Sequence, residues 1–244
     1  MDIQPSEFYQ RLETDPVRPT SSQPAEAEFL AAYEQAASKG AKEIIMLTVS
    51  AAMSGTYQMA LNAARQVKIP VHVVDGKSPT MSLGFQVLAA ARAVQAGLDL
   101  PDILNRIDQV RQRLVQLVGM NTLEYLQKGG RIGGAVKWVG TLFQVKPLVS
   151  INHHTGLVES ESLARSHKQL VEMLYHRFFE RLTSKKNLRV AVLHGNALDD
   201  AEALAERIRR DWNPIELLIN TTGPVLGINT GPGALALCGY DEDS

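Results

Sequence analysis

Two short hydroxyl-bearing stretches, Thr20-Ser21-Ser22 and Ser54-Gly55-Thr56, are the first places in this 244-residue sequence where residue type and position suggest chemistry. Ser54 follows the apolar run IIMLTVS (44–50) and precedes the helical pattern of Tyr57 to Val67. Its hydroxyl and the unpaired N–H groups of a helix start would therefore face one point at the end of a buried strand, an arrangement that attracts an anion. A serine in that position is ordinarily only a helix cap, and the local pattern does not separate the two roles. Thr20-Ser21-Ser22 has the same standing, because a helical pattern begins just after Pro24. Capping is the commoner explanation there too, yet two such loops can converge on one anion.

Other chemically suggestive residues carry less. Lys128-Gly129-Gly130-Arg131 sets two cations around a glycine pair but lacks the G-x-x-x-x-G-K-[ST] spacing of a phosphate loop, and reads equally as a helix C-cap. Arg165 stands near His167 and Lys168 at a helix start. His153-His154 are neighbours in a turn, where adjacent side chains point apart, and no carboxylate or cysteine stands at ligand spacing, so no metal is expected. His194 closes a strand and reads as a structural histidine or a cleft residue. The lone Cys238 reads as a packed apolar residue and fits a reducing cytoplasm. No G-x-S-x-G elbow accompanies Ser54, so no catalytic set is assigned and no cofactor is implied.

The elements that must position these residues follow a readable rhythm. Strand-like runs at 44–50, 71–75 and 114–120 alternate with helical patterns at 24–39, 57–67, 81–96 and 102–113, which predicts a parallel sheet with crossover helices. Beyond Lys146-Pro147 two strand runs flank His153-His154-Thr155-Gly156, a hairpin pattern. Helices near 166–182 and 200–210 and strands near 188–194, 215–220 and 234–237 follow. The expected fold class is α/β: an N-terminal parallel-sheet α/β domain over 1–145, and a C-terminal α+β domain over 146–244 with a largely antiparallel sheet. A 45 % hydrophobic content over 244 residues is enough for two cores. A formal charge of -1 gives no reason to expect nucleic acid, and no stretch approaches the roughly 20 apolar residues of a membrane span.

Five ordered motifs sharpen this reading: PTSSQP (19–24), SGTYQ (54–58), TLEYLQKGGRIGG (122–134), KPLVSI (146–151) and GPVLGINTGPGALAL (223–237). Together they resemble the DegV family of bacterial fatty-acid-binding proteins over nearly the whole chain. The resemblance implies a non-catalytic, DegV-like carrier of one long-chain, palmitate-like fatty acid, with no cofactor beyond that ligand. It implies carboxylate contacts at Ser21, which falls on the family's threonine before Ser-Gln-Pro, and at Ser54, with Thr20, Gly55 and Thr56 beside them. Arg131, Arg165 and Asn229 become head-group or partner contacts, and the partner implied is a separate fatty-acid kinase that phosphorylates the carboxylate. The sequence departs from the family in lacking an initial strand with a Thr-Asp-Ser motif, and in carrying Asn229 where a histidine commonly precedes Thr-Gly-Pro-Gly. An apolar tail needs an apolar lining, for which MSLGFQVLAAARAV (81–94), Met46, Met53 and Met59 are candidates. Two other readings of the same anion site are a phosphotransferase, with Ser54-Gly55-Thr56 as a phosphate cradle, and a lipid-responsive regulator.

Overall fold

The computed structural model describes residues 3–138 and 145–242. Its first half runs α1 (Pro5–Thr14), α2 (Glu26–Ser38), β1 (Ile44–Thr48), α3 (Thr56–Ala64), β2 (Val71–Asp75), α4 (Thr80–Gln95) and α5 (Leu100–Arg113). The rest runs β3 (Val115–Gly119), α6 (Glu124–Gly129), β4 (Lys146–Asn152), β5 (Leu157–Ala164), α7 (His167–Arg181), β6 (Leu188–His194), α8 (Leu198–Trp212), β7 (Glu216–Thr221), α9 (Pro224–Thr230) and β8 (Leu235–Asp241). These fall into two compact units, one formed by 21–111 with 152–157, the other by 1–20, 112–151 and 158–244.

The smaller unit is built on β1 and β2, paired in parallel with Ile44 opposite Val71 and Thr48 opposite Asp75. Side chains alternate across a strand, so Ile44 and Met46 pack on Phe29, Tyr33, Ala60 and Ala63 of α2 and α3. On the opposite face Ile45 and Leu47 meet Ala90, Ala93, Ile103 and Ile107 of α4 and α5. Met46 and Met59 are thus ordinary core residues between sheet and helices. The sheet has two strands among the described residues.

The larger unit carries a six-stranded sheet in the order β5-β4-β3-β8-β6-β7. Helices α7 and α8 cover one face, where Leu174, Phe178 and Ile208 meet Leu117, Val190, Val192 and Leu237, all fully buried. β6 and β7 are parallel, whereas β8 runs antiparallel to both β3 and β6.

The fold class stands as expected, with a small parallel sheet and a larger mixed one. The assignment of individual segments differs in two ways. β3, expected as a third parallel strand with the first 145 residues, pairs antiparallel with β4 and β8 instead. A single cut at 145 is therefore replaced by an interleaved division, in which the hairpin tip 152–157 groups with the smaller unit. The polar lead also holds a helix: in α1, Pro5 occupies the first turn and Phe8, Tyr9 and Leu12 form a narrow buried stripe. So few apolar residues in ten are easily read as a loop.

Candidate functional site

In the smaller unit, three loops meet at the C-terminal ends of β1 and β2, the end of a parallel sheet where ligands collect. The turn after β1 is closed by Met53 and Ser54 N–H groups on the Ser50 carbonyl, at 3.0 and 3.1 Å. Asp75, at the end of β2, ties the loops together: its Oδ1 accepts from Ala51 N–H at 3.1 Å and from Lys77 N–H at 2.9 Å. The third loop arrives before α2, where Gln23 leans over Gly55, so that a Cβ on Gly55 would stand 3.3 Å from Gln23 Cδ. Glycine leaves that approach open.

Ser54 sits half-buried at the start of α3. Its Oγ accepts from Thr56 N–H at 3.3 Å and lies 2.8 Å from Thr56 Oγ1. A serine oxygen has two lone pairs and one proton. When the buried Thr56 hydroxyl donates to Ser54, both Ser54 lone pairs are filled and its proton is left to donate elsewhere. Gly55 is the N-cap residue of α3, and Ser54 lies just before it, accepting the Thr56 N–H; in the hydroxyl pair either oxygen can donate, and the one that accepts keeps its own proton. For the other loop the capping explanation fails. The residue at the start of α2 is Ala25, whose N–H is taken by Glu28 Oε2 at 2.7 Å. Thr20 and Ser21 are exposed, and neither hydroxyl has a partner among the described residues.

The same loops contain polar residues that sequence reasoning missed. Ser50, Ser78, Ser82 and Gln86 are fully buried. Gln86 Nε2 donates to Gly76 O at 2.9 Å, Ser78 Oγ at 3.0 Å and Ser82 O at 3.1 Å. Ser82 Oγ and Gln86 Oε1 have no partner within the described residues. The signal was present as polar residues four apart in an otherwise apolar helix, one buried stripe of α4. Between β2 and α4, Lys77 and Thr80 adopt left-handed backbone, φ 48° and 60°. That conformation is costly for a β-branched threonine and is typical of turns held in place by their surroundings.

The hairpin tip belongs to this unit as well. Ser50 Oγ donates to Gly156 O at 2.8 Å, and Lys77 Nζ to His154 O at 2.8 Å. His153, expected as a simple turn residue, is 9 % exposed, and within the described residues its ring nitrogens make no hydrogen bond of good geometry. Burial pushes its pKa down to about 4, with the Lys77 backbone acting the other way and His154 and Arg111 adding to the fall. It is a neutral imidazole held in a cationic setting.

The larger unit holds Arg131, Arg165 and Asn229. Arg131 follows Gly130, the left-handed cap of α6, and its Nη1 donates to Gly129 O at 2.7 Å. Asn229 lies within α9, not in a loop; its Nδ2 donates to Val225 O at 2.9 Å, and its Oδ1 abuts the Gly129 α-carbon. Arg165 is exposed, and its own backbone N–H binds Gln169 Oε1 at 2.7 Å. Nothing among the described residues joins Arg165 to Arg131 or Asn229. His194 is structural: Nδ1 accepts from Ala197 N–H at 3.2 Å, so Nε2 carries the proton toward Thr221 Oγ1, also at 3.2 Å. Among the described residues no three His, Cys, Asp or Glu side chains come together as metal ligands, and no helix is long and apolar enough to cross a membrane.

The fold and this loop cluster define a two-unit α/β protein with polar loops gathered at the ends of its parallel strands. The DegV family model, whose members are described as uncharacterised proteins, matches residues 1–242, and the chain belongs to that family. A DegV domain-containing protein of Halalkalibacterium halodurans is 31% identical over 243 residues, 99% of this chain and 85% of that one. A DegV family protein from Thermus thermophilus, described by its fatty-acid binding, has a TM-score of 0.91 at 30% identity, covering 99% of this chain and 85% of the other. DegV from Bacillus subtilis, described as a fatty acid binding protein, has a TM-score of 0.86 at 27% identity, covering 96% and 83%.

Proposed function

We propose that this chain binds one long-chain, palmitate-like fatty acid and holds its carboxylate with Ser54 and Ser21, with Thr20, Gly55 and Thr56 beside them. The observation that carries the reading is the Ser54–Thr56 hydroxyl pair at the start of α3, in which one of the two hydroxyls keeps a proton for a ligand. A desolvated carboxylate needs several such donors, since an ionised group without them is costly to bury. The exposed, uncommitted hydroxyls of Thr20 and Ser21 add further donors. Fatty-acid binding in the Thermus and Bacillus relatives supports the ligand class.

In this reading the protein is a cytoplasmic carrier and not an enzyme, and it presents the carboxylate to a separate fatty-acid kinase. Arg131 and Arg165 are candidates for the partner surface. Asn229 contributes less, because its amide donor is engaged by Val225. The phosphotransferase alternative asks for an acidic pair beside Ser54 to hold magnesium. Asp75, the carboxylate bound to that turn, is single and already accepts two backbone N–H groups.

Mass spectrometry of protein denatured after purification from cells is expected to release an acyl chain, and calorimetry to show saturable oleate binding. Ser54→Ala is expected to weaken oleate binding by about 1.5 to 3 kcal/mol, the worth of one hydrogen bond to a charged group. Thr56→Val, which leaves the Ser54 hydroxyl in place, should have a smaller effect. Unchanged affinity in Ser54→Ala would leave Ser54 only its bonds beside the start of α3.

A further inference from the structure

Gln86 is a costly residue to keep where it stands. It is completely enclosed on α4, at 0 % exposure, and its Oε1 has no partner among the described residues. The other end of the amide fixes its orientation. Nε2 faces Gly76 O and Ser82 O, carbonyls that can only accept, with Ser78 Oγ beside them. Burying an acceptor without a donor opposes folding, and a methionine of similar length would avoid that penalty. Nor do the acceptors depend on the amide alone. Ser78 Oγ also donates to Gly76 O at 2.9 Å, and Ser82 O lies in the first turn of α4, within reach of the helix's own N–H ladder. Stability by itself therefore gives no reason for a glutamine at this position.

What the amide holds is Gly76. That residue is clamped from both sides: its N–H donates to Thr48 O at the end of β1, at 3.0 Å, and its C=O accepts from Gln86 Nε2 at 2.9 Å. A Cβ at 76 would stand 2.8 Å from Thr48 O and 2.5 Å from Leu83 Cδ1, so only glycine passes this close between strand and helix. The neighbours of Gly76 carry the constraint onward. Asp75 Oδ1 accepts from Lys77 N–H at 2.9 Å and from Ala51 N–H at 3.1 Å. Ala51 opens the turn in which the Met53 and Ser54 N–H groups close on Ser50 O. Lys77 and Thr80 meanwhile keep left-handed backbone, at φ 48° and 60°, which persists only where the surroundings impose it. We infer that Gln86 is a positioning residue: it holds Gly76, and through Asp75 the turn carrying the Ser54–Thr56 hydroxyl pair, in the arrangement that meets a carboxylate. The ligand in this inference rests on the fatty-acid reading; the clamp rests on the bonds themselves.

Gln86→Met in the full chain removes the clamp and the unpartnered oxygen together. Its thermal midpoint is expected to equal or exceed that of the unaltered chain, while oleate affinity in calorimetry falls about tenfold, within the span of coupling inside one network. In a double-mutant cycle, Gln86→Met with Ser54→Ala is expected to bind oleate at most about twofold more weakly than Ser54→Ala alone, because both changes remove the same contact. Amide hydrogen exchange without ligand is expected to quicken at Ala51 and Lys77 and to stay unchanged at Ala60 and Ala63, buried in α3. A variant that fails to fold, or one with a lowered midpoint and undiminished affinity, makes Gln86 an ordinary core residue and overturns the inference. Losses that add in full also overturn it, since they place the effect away from Ser54. If the unaltered chain binds no oleate, the fatty-acid reading fails and exchange alone decides the clamp: quicker exchange at Ala51 and Lys77 upholds it, and unchanged exchange overturns it.

Discussion

Ser54 shows how one hydroxyl serves the fold and a ligand together. It accepts the Thr56 N–H beside the start of α3 and pairs with the Thr56 hydroxyl, and one of those two hydroxyls keeps a proton for an incoming oxygen. Sequence exposed the position, because a serine between a buried strand and a helix is recognisable; it did not expose the pairing with the buried Thr56 hydroxyl. His153 was legible as a turn residue and not as a buried one, since adjacent histidines in a polar tip carry no burial pattern. Its depressed pKa makes a pH prediction with a definite sign. Above about 6.5 the imidazole is neutral in both folded and unfolded chains, so it contributes no pH dependence there. Between about 6.5 and 4 the unfolded chain takes up a proton that the folded one resists, so stability falls as pH falls. Urea unfolding followed at pH 7, 5 and 4 is expected to show this loss, at most about 3 kcal/mol from this group. His153→Leu should flatten the slope, and an unchanged slope would assign it to other groups.

At the scale of elements, boundaries with capping or strand-end signals agree with the sequence. β2 (Val71–Asp75) and β6 (Leu188–His194) fall where apolar runs end at turn residues. The hairpin over 152–157 follows its glycine: Gly156, with φ 74°, donates to Asn152 O at 2.7 Å. α6 ends the way its Gly-Gly pair suggests. Gly130 has φ 71° and nothing within 4 Å of where a Cβ would stand, so a substitution there meets a backbone cost without a steric one. Gly130→Ala is expected to destabilise the larger unit by about 1–2 kcal/mol, the left-handed penalty for an L-residue. A change below a few tenths in chemical denaturation would mean that the cap relaxes at no cost. Elements with sparse patterns were hidden. α9 is seven residues long and begins Gly-Pro, so it reads as a loop until Ile228 and Tyr125 are seen against Phe8 and Tyr9.

For the whole molecule, the chain's interleaving between its two units has a physical consequence. β3 lies between β4 and β8 in the large sheet, so residues 146–244 by themselves lack a central strand. A fragment 146–244 is expected to give no cooperative thermal transition and a collapsed amide proton spectrum. A dispersed spectrum with a sharp transition would restore the division at 145. The sequence by itself determined the α/β class, the family resemblance, most elements from α2 to β8 and the candidate anion-binding loops, because periodicity, turn residues and motif order are local properties. Only the tertiary structure decided the rest. It moved β3 into an antiparallel sheet and buried His153, Ser82 and Gln86. Each of these depends on which distant segment arrives beside a residue, and strand pairing and burial are fixed by such contacts and not by the residue's own neighbourhood.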